Sequence, residues 1–237
     1  MGLTVGVVGS PTSQQLGSIS TAKAWSTIKV AIADKVLTDA GGPGGLSTGV
    51  RRAINQAITE SNNAAAEKLF EGLKERYGGT AAAARAVDGV LRESGDRHTS
   101  VSTQGRVGFS PYGQTDWALA EQHRLMSLMA GGCILRDGSA SYVLQLMGEV
   151  VRGQRWGLGT SGVSSRFKGG WGPGPDGRYV VRQFGLLEPS KRNRVVVTMA
   201  AEPADGQFAS GTRMLDQVAR WTTQNVDFQA ARARACP

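Results

Sequence analysis

The order of extended and helical segments is the feature that most constrains the fold of this 237-residue chain. A short β-branched run at 3–8 predicts a strand near the start of the sequence. The last third carries three further extended runs, two of them joined by a Gly- and Pro-rich turn, and these lie at 164–168, 179–187 and 194–201. Apolar residues at helical spacing fill the middle, and the predicted helices span 24–37, 50–59, 63–77, 81–93, 116–130 and 141–151, with a last one at 211–223.

This order predicts an α+β fold class, in which both chain ends build one antiparallel sheet flanked by helices, with an all-helical lobe inserted between them. The chain is long enough to bury one sizeable core. We therefore expect a single domain, 1–237, made of two lobes. Residues 1–25 and 155–237 form the predicted sheet lobe, and residues 26–154 form the predicted helical lobe.

The chain is basic, with 27 Lys and Arg against 19 Asp and Glu and a formal net charge of +8. A surplus of this size could attract nucleic acid or an anionic polymer. The basic residues are spread along the whole chain and form no recognisable nucleic-acid-binding motif, so we expect no nucleic-acid partner. No run approaches the roughly 20 apolar residues that a membrane-spanning helix needs, so we expect no membrane span.

Cysteine and histidine are too few and too scattered to predict a metal centre. Cys133 and Cys236 lie far apart in sequence, and His98 and His123 offer no ligand spacing. We therefore expect neither a metal nor a cofactor. The two cysteines are compatible with one disulfide or with two separate buried thiols.

A serine and a lysine one helical turn apart form the first of three short motifs. Ser26 lies where the helix at 24–37 begins, and Lys29 follows on the same face. The helix is otherwise almost wholly apolar as far as Asp34, and burial among apolar residues lowers the pKa of a lysine. A neutral amine beside a hydroxyl is a competent general base. The alternative is that Ser26 caps the helix and Lys29 extends to water.

Two further motifs follow along the chain, Ser61-Asn62-Asn63 and then Lys168-Gly169-Gly170. The second motif lies between two predicted helices, where a hydroxyl and an amide also serve as an ordinary helix cap. The third lies on a predicted strand, where paired glycines let a substrate backbone come close. Its alternative interpretation is a surface strand beside a tight turn.

Together the three motifs resemble those of the penicillin-recognising serine hydrolases, which include the class A β-lactamases and the D,D-peptidases. The flanking sequence supports the resemblance. Residues 58–65 are similar to the family's second motif with its surroundings, and residues 92–99 are similar to the stretch before the class A omega loop. The resemblance covers nearly the whole chain and implies the β-lactamase and transpeptidase type of fold.

The resemblance implies a catalytic role for four residues. Ser26 would attack the substrate carbonyl, and Lys29 would take its proton as general base. Ser61 would pass a proton to the leaving nitrogen, with electrostatic support from Lys168.

The resemblance also implies how a substrate would be held. The substrate-binding residues would be Asn63, Gly169, Gly170 and Trp171. The backbone N–H groups of Ser26 and Trp171 would form the oxyanion hole, and donors arranged in advance in this way are worth several kcal/mol.

The expected omega loop departs from the family's pattern. Class A enzymes carry a glutamate there that activates the water for deacylation. Residues 99–115 contain no acidic side chain, and Gln104 or Gly105 falls near the position of that glutamate. Since a glutamine cannot act as a base, an acyl-enzyme should persist unless Lys29 or another group supplies one.

The third motif departs from the pattern as well. Gly169 stands where the family usually has a hydroxyl residue that helps to bind the substrate carboxylate. Arg166 or Arg182 is a candidate to compensate for it. A third departure is the short segment of only 34 residues between Ser26 and Ser61, which indicates a shorter helical lobe and a more open cleft. The three departures together predict a poor β-lactamase.

The predicted activity is hydrolysis or transfer of an acyl group through a Ser26 acyl-enzyme, on an amide or a peptidoglycan-type peptide. Two alternatives stay open: a β-lactamase proper, and a non-catalytic module that binds β-lactams or peptidoglycan as a sensor. The expected partner is a small-molecule or peptide substrate. We expect a monomer that is secreted or resides in the cell envelope, with a signal peptide that is not part of this sequence.

Three aromatic residues near the motifs have competing interpretations. Trp171 could form a wall of the substrate site, whereas Trp156 is expected to pack in the core, as large aromatic side chains usually do. Tyr112 could reach the cleft from the shortened loop, but we expect it on the surface.

Overall fold

The computed structural model describes residues 1–10, 12–135, 137–190 and 192–233. Its strands are β1 Gly2–Val7, β2 Gln14–Gly17, β3 Thr21–Lys23, β4 Asp116–Ala118, β5 Ser165–Pro173, β6 Tyr179–Leu187 and β7 Val195–Ala201. The main sheet is antiparallel, with the strand order β2-β1-β7-β6-β5, and β3 pairs with β4 in a separate sheet. The main sheet therefore joins the start of the chain to its last third.

The helices are α1 Lys29–Asp39, α2 Thr48–Thr59, α3 Asn63–Tyr77, α4 Thr80–Glu93, α5 Leu119–Gly131, α6 Ser139–Gly148 and α7 Phe208–Asn225. α1 packs against α2, α3, α4 and α6. α5 packs against β1, β6 and β7, and α7 packs against β6 and β7. The predicted fold class, an antiparallel sheet built from both chain ends and combined with helices, is confirmed.

The central strand β7 is buried along its whole length because helices cover both faces of the sheet. Successive side chains of a strand point to opposite faces. Val196 accordingly belongs to the core shared with α1 and α5, and Val197 belongs to the core shared with α7. A strand buried on both faces needs an uninterrupted apolar run, and each buried valine or leucine contributes about 1.5–3 kcal/mol.

The helix predicted at 24–37 is divided in two. Trp25–Ile28 form a 3-10 turn, and α1 begins only at Lys29. The φ of Trp25 is 48°, a left-handed value that interrupts regular helical geometry. The division places Ser26 just ahead of α1 rather than inside it.

The helix predicted from 116 begins instead with strand β4. Ala22 of β3 pairs with Trp117, so tertiary pairing overrides the helical spacing of this short segment. β2 is not evident from the sequence, because its four residues are all exposed and show no alternation. Main-chain pairing to β1 holds it at the edge of the sheet.

None of the helices in the described ranges is long and apolar enough to cross a membrane. Cys133, just after the end of α5, is disulfide-bonded. Cys236, the other cysteine of the sequence analysis, lies outside the described residues.

Candidate active site

The serine of the first motif lies in a short turn that neighbouring segments hold in place. Ser26 is partly exposed between the buried residues Trp25 and Thr27. The Ala24 amide donates to the carbonyl oxygen of Thr115 at 2.7 Å, and the Thr27 hydroxyl donates to the carbonyl oxygen of Ala24 at 2.6 Å. A left-handed backbone like that of Trp25 persists only where its surroundings over-determine it. The turn therefore holds Ser26 at a fixed position.

Lys29 is the first residue of α1 and is only 2% exposed. Its Nζ donates to the carbonyl oxygen of Ser61 at 2.6 Å and to Oδ1 of Asn63 at 2.7 Å. Burial lowers the pKa of Lys29 from 10.5 to about 7, because a low-dielectric environment disfavours the ammonium. An amine that has lost one of its three ammonium protons keeps two donors and gains a lone pair. With both acceptors in place, that lone pair is available to take a proton.

The second motif forms the turn between α2 and α3. Asn62 caps α3 by accepting a hydrogen bond from the Ala65 amide at 2.9 Å. Ser61 has a left-handed φ of 56° and uses its two oxygens on two different lysines. Its carbonyl oxygen accepts from Lys29, and its Oγ accepts from Nζ of Lys168 at 2.8 Å. Ser61 thus connects the two lysines.

Lys168 lies on β5 and is 1% exposed. Besides Ser61, its Nζ contacts the carbonyl oxygen of Gly169 at 2.8 Å. Burial and the positive charge of Lys29 both lower the pKa of Lys168 well below its ordinary value. Two buried lysines near each other, such as Lys29 and Lys168, stabilise negative charge that develops on a molecule bound beside them.

Two glycines let β5 lie directly against the turn that carries the serine. A Cβ on Gly170 would lie 3.0 Å from the amide nitrogen of Ser26, and a Cβ on Gly172 would lie 2.4 Å from the Trp25 ring. Both distances are shorter than an ordinary contact. Because glycine has no side chain at these two positions, the main chain of β5 at Trp171 can lie alongside the turn that carries Ser26.

Gly169 faces the opposite side of β5. A Cβ there would lie 3.0 Å from the Trp156 ring, so a larger side chain would have to displace this tryptophan. Trp156 is buried, and its ring packs edge-on against Trp171 with centroids 5.8 Å apart. Trp156 therefore occupies core space, as expected, whereas Trp171 is only half-buried.

These elements enclose a cleft of about 620 Å³. Four of the predicted site residues line it: Ser26, Lys29, Asn63 and Trp171. The other four are buried behind the lining: Ser61, Lys168, Gly169 and Gly170. One compact region thus contains side chains from the start of α1, the start of α3 and the end of β5.

Solved structures of β-lactamases share this arrangement of sheet and helices. A β-lactamase from Xanthomonas campestris pv. campestris is 19% identical, with a TM-score of 0.72 over 95% of this chain and 91% of that one. The chromosome-encoded β-lactamase of Vibrio parahaemolyticus is 13% identical, with a TM-score of 0.69 over 94% and 92%. An ancestral class A β-lactamase is 19% identical, with a TM-score of 0.68 over 95% and 94%.

The chain has the class A β-lactamase fold. The predicted resemblance is thereby confirmed at the level of architecture. No protein-family model and no curated protein matches the sequence. At identities of 13–19% these structures establish the fold and nothing further. The function of the site depends on the residues that form it.

Within this β-lactamase fold, the loop at 99–115 is tied across the cleft to the end of β5. The guanidinium of Arg106 donates to the carbonyl oxygen of Pro173 and, at 3.3 Å, to Oε1 of Gln114. It also lies over the Phe109 ring, 4.7 Å from the centroid. Gln104 and its neighbour Gly105 are exposed and are not part of the cleft lining.

The two arginines considered as carboxylate ligands are engaged elsewhere. Arg166 pairs with Glu188 through Nε at 2.6 Å. Arg182 is fully buried and donates to the carbonyl oxygen of Ala22 and to Oε1 of Gln122, both at 2.6 Å. Neither arginine lines the cleft, so neither replaces the hydroxyl that is missing at position 169.

The expectation that Tyr112 lies on the surface is wrong. Tyr112 is 2% exposed, lines the cleft and packs against Phe70 with ring centroids 5.0 Å apart. Its hydroxyl donates to Oε2 of Glu67 at 3.1 Å. Loop composition predicts exposure, but docking of the loop onto α3 buries this ring.

Glu67 also lines the cleft, although it belongs to none of the three motifs. It lies four residues after Asn63 on α3, so the two side chains share a helical face. That spacing is the signal that could have revealed it. Among the described residues that line the cleft, the charged side chains are Glu67 and Lys29.

Proposed function

We propose that this protein is a serine hydrolase or acyltransferase that forms an acyl-enzyme on Ser26, with Lys29 as general base. The observation that carries the proposal is the environment of the Lys29 amine. It is buried, its pKa is lowered to about 7, and its two hydrogen bonds run to acceptors. A lysine prepared in this way one turn after a cleft serine suits proton abstraction better than any structural role.

In the proposed acylation step, Lys29 takes the proton of the Ser26 hydroxyl as Oγ bonds to the substrate carbonyl carbon. The amides of Ser26 and Trp171 stabilise the oxyanion. When the bond to the leaving nitrogen breaks, that nitrogen receives a proton from the Ser61 hydroxyl, which regains one from Lys29. Lys168 keeps the Ser61 hydroxyl oriented through its 2.8 Å contact.

The cleft supports an amide or a peptidoglycan-type peptide as the substrate class. Its aromatic lining suits an extended acyl group: Trp25, Phe109, Tyr112, Trp171 and Tyr179. The side chain of Asn63 reaches the same cleft, and its amide NH₂ is available to a substrate carbonyl because Oδ1 serves Lys29. A cell-wall substrate would place the protein outside the cell or in its envelope.

Weak β-lactamase activity is part of the proposal. A β-lactam carries a carboxylate, and Gly169 offers no hydroxyl to bind it. Arg166 and Arg182 are held in other contacts. We therefore expect β-lactams to bind weakly, whereas the reactivity of Ser26 should not be affected.

A β-lactam or peptidoglycan sensor without turnover is the second candidate function. One observation favours it: the loop at 99–115 carries no carboxylate. A sensor would acylate and then remain acylated, whereas an enzyme would release its product.

The test is to follow adducts by intact-mass spectrometry after mixing the protein with a fluorescent penicillin or with p-nitrophenyl acetate, and to assay a chromogenic cephalosporin in parallel. We expect one acyl group per chain, lost in Ser26→Ala and in Lys29→Ala. Matched controls are Ser18→Ala, at an exposed serine, and Lys35→Ala, at the lysine of α1 that pairs with Asp39. Labelling that survives in Ser26→Ala would overturn the assignment of the nucleophile. Rapid cephalosporin hydrolysis would show a β-lactamase proper, and an adduct that persists over hours would favour the sensor.

A further inference from the structure

Hydrolysis of an ester on Ser26 requires a base that activates water, and this inference rests on the proposed acyl-enzyme. The loop at 99–115 holds no carboxylate, and Gln104 is exposed outside the cleft lining. We propose that Glu67 of α3 is the general base for deacylation. A carboxylate on α3 would then activate the deacylating water, a role for which the loop at 99–115 has no acidic residue.

Glu67 lies where such a base can meet the acyl group. It lines the cleft together with Ser26 and Lys29. One helical turn before it, Oδ1 of Asn63 is 2.7 Å from Nζ of Lys29, and side chains four residues apart on a helix are about 5–6 Å apart at Cβ. The cleft that Glu67 and Ser26 both line, of about 620 Å³, has room for a water molecule.

Among the described residues, one hydrogen bond orients the Glu67 carboxylate and engages only one of its two oxygens. The Tyr112 hydroxyl donates to Oε2 at 3.1 Å, and packing against Phe70 fixes the tyrosine ring. Burial and the neighbouring carboxylate raise the pKa of Tyr112, so this phenol stays protonated and acts as donor, not as base. Oε1 is then available to a water in the cleft.

The Glu67 carboxylate forms no ion pair within the described residues. On this stretch of α3 the ion pair is between Glu71 and Lys74, at 2.6 Å. The side chain of Glu67 is exposed to the cleft, so water reaches it. A carboxylate that water reaches in the cleft of the acylated serine has the position that a general base needs.

In the proposed deacylation step, the water oxygen bonds to the acyl carbon while one water proton passes to the Glu67 carboxylate. The bond from that carbon to Oγ of Ser26 then breaks, and the proton returns to Oγ. The products are a carboxylic acid, a free Ser26 hydroxyl and the regenerated Glu67 carboxylate.

The test separates acylation from deacylation. Wild type, Glu67→Gln and Glu71→Gln are mixed with p-nitrophenyl acetate, a small ester that carries no carboxylate to be recognised. The burst of p-nitrophenol reports acylation, and intact-mass decay of the acetyl-enzyme after removal of the ester reports deacylation. Glu67→Gln preserves size and polarity at an exposed position, and Glu71→Gln makes the same change one turn away, outside the cleft lining.

We expect Glu67→Gln to acylate at the wild-type rate but to lose its acetyl group about 100-fold more slowly or worse, the usual contribution of a general base. Glu71→Gln should match wild type in both steps. Tyr112→Phe keeps the aromatic ring and tests the positioning role of the phenol; it should slow deacylation about tenfold, and more than it slows acylation.

Other outcomes decide against the inference in distinguishable ways. Equal decay in wild type and Glu67→Gln, or a wild-type adduct that never decays, overturns Glu67 as the base and leaves the Ser26 nucleophile standing. A wild-type protein that forms no adduct with the ester or with a fluorescent penicillin overturns both the proposed function and the base.

Discussion

Replacing Gly170 with alanine would place a methyl group between two backbones that cannot easily separate. The added Cβ would lie 2.8 Å from the carbonyl oxygen of Ala24 and 3.0 Å from the amide nitrogens of Ser26 and Thr27. An ordinary contact needs 3.4 Å or more. The turn or the strand must therefore move by about 0.4–0.6 Å, the differences between 3.4 Å and those distances. Such a movement is opposed by the pairing of Gly170 with β6 and by the hydrogen bond from Ala24 to the Thr115 carbonyl.

The expected cost follows from this displacement. Overpacking of a well-packed site destabilises a protein by about 1–3 kcal/mol. For a chain of this size, each kcal/mol lowers the melting temperature by about 2–4 °C, so Gly170→Ala should melt about 2–12 °C below wild type. Acylation should slow by as much as about 100-fold, because the proposed oxyanion donor would shift relative to the proposed nucleophile, Ser26.

Thermal unfolding followed by circular dichroism and the p-nitrophenyl acetate burst measure the two effects. Gly153→Ala is the matched control, since a Cβ there would meet no atom within 4 Å and Gly153 lies outside the cleft lining. It should change neither quantity. A Gly170→Ala protein with wild-type stability and acylation would refute the claim that this close approach positions the turn.

Two pH-dependent effects follow from buried bases. The proposed base Lys29 has to be neutral to take a proton, and burial lowers its pKa to about 7, so acylation should rise with pH and level off above about 7. A rate that keeps rising toward 10.5, the ordinary pKa of lysine, would contradict the proposed role. Burial lowers the pKa of His123 from 6.5 in the unfolded chain to about 4 in the folded protein. Between pH 6.5 and about pH 4 the unfolded chain therefore binds one more proton at this residue than the folded protein does. The stability that is fully present above pH 6.5 is lost as the pH falls to about 4. The free energy of unfolding, measured with urea at pH 6.5 and at pH 4, should fall by about 3 kcal/mol less in His123→Leu than in wild type. An equal fall in both proteins would exclude the histidine as the cause.

Local pattern was sufficient to predict much of the fold. α3 spans 63–77 and β6 spans 179–187, as their apolar spacing and flanking glycines predict. The order of the three motifs predicts the β-lactamase type of fold that the solved structures share. These features depend on neighbours along the chain or on short residue combinations, which a sequence displays directly.

The candidate site was predicted only in part, for the same physical reason. The residue types of Ser26 and Lys29 one turn apart predict a nucleophile with its base. The contact of Lys168 with Ser61 joins residues 107 positions apart, and the sequence alone predicts it only through the resemblance. Local sequence does not determine whether Lys29 is buried or reaches water, because its burial depends on the contact with Asn63 of α3.

The remaining features depend on tertiary structure alone. Segment 116–118 carries helical spacing but pairs with β3, because a distant strand offers it main-chain hydrogen bonds. Tyr112 has the local surroundings of a surface loop, and docking onto α3 buries it beside Glu67. The sequence by itself determined most of the periodic elements and the residue types and order of the motifs. The tertiary structure decided which distant side chains meet and which lose water, since desolvation and packing depend on neighbours in space.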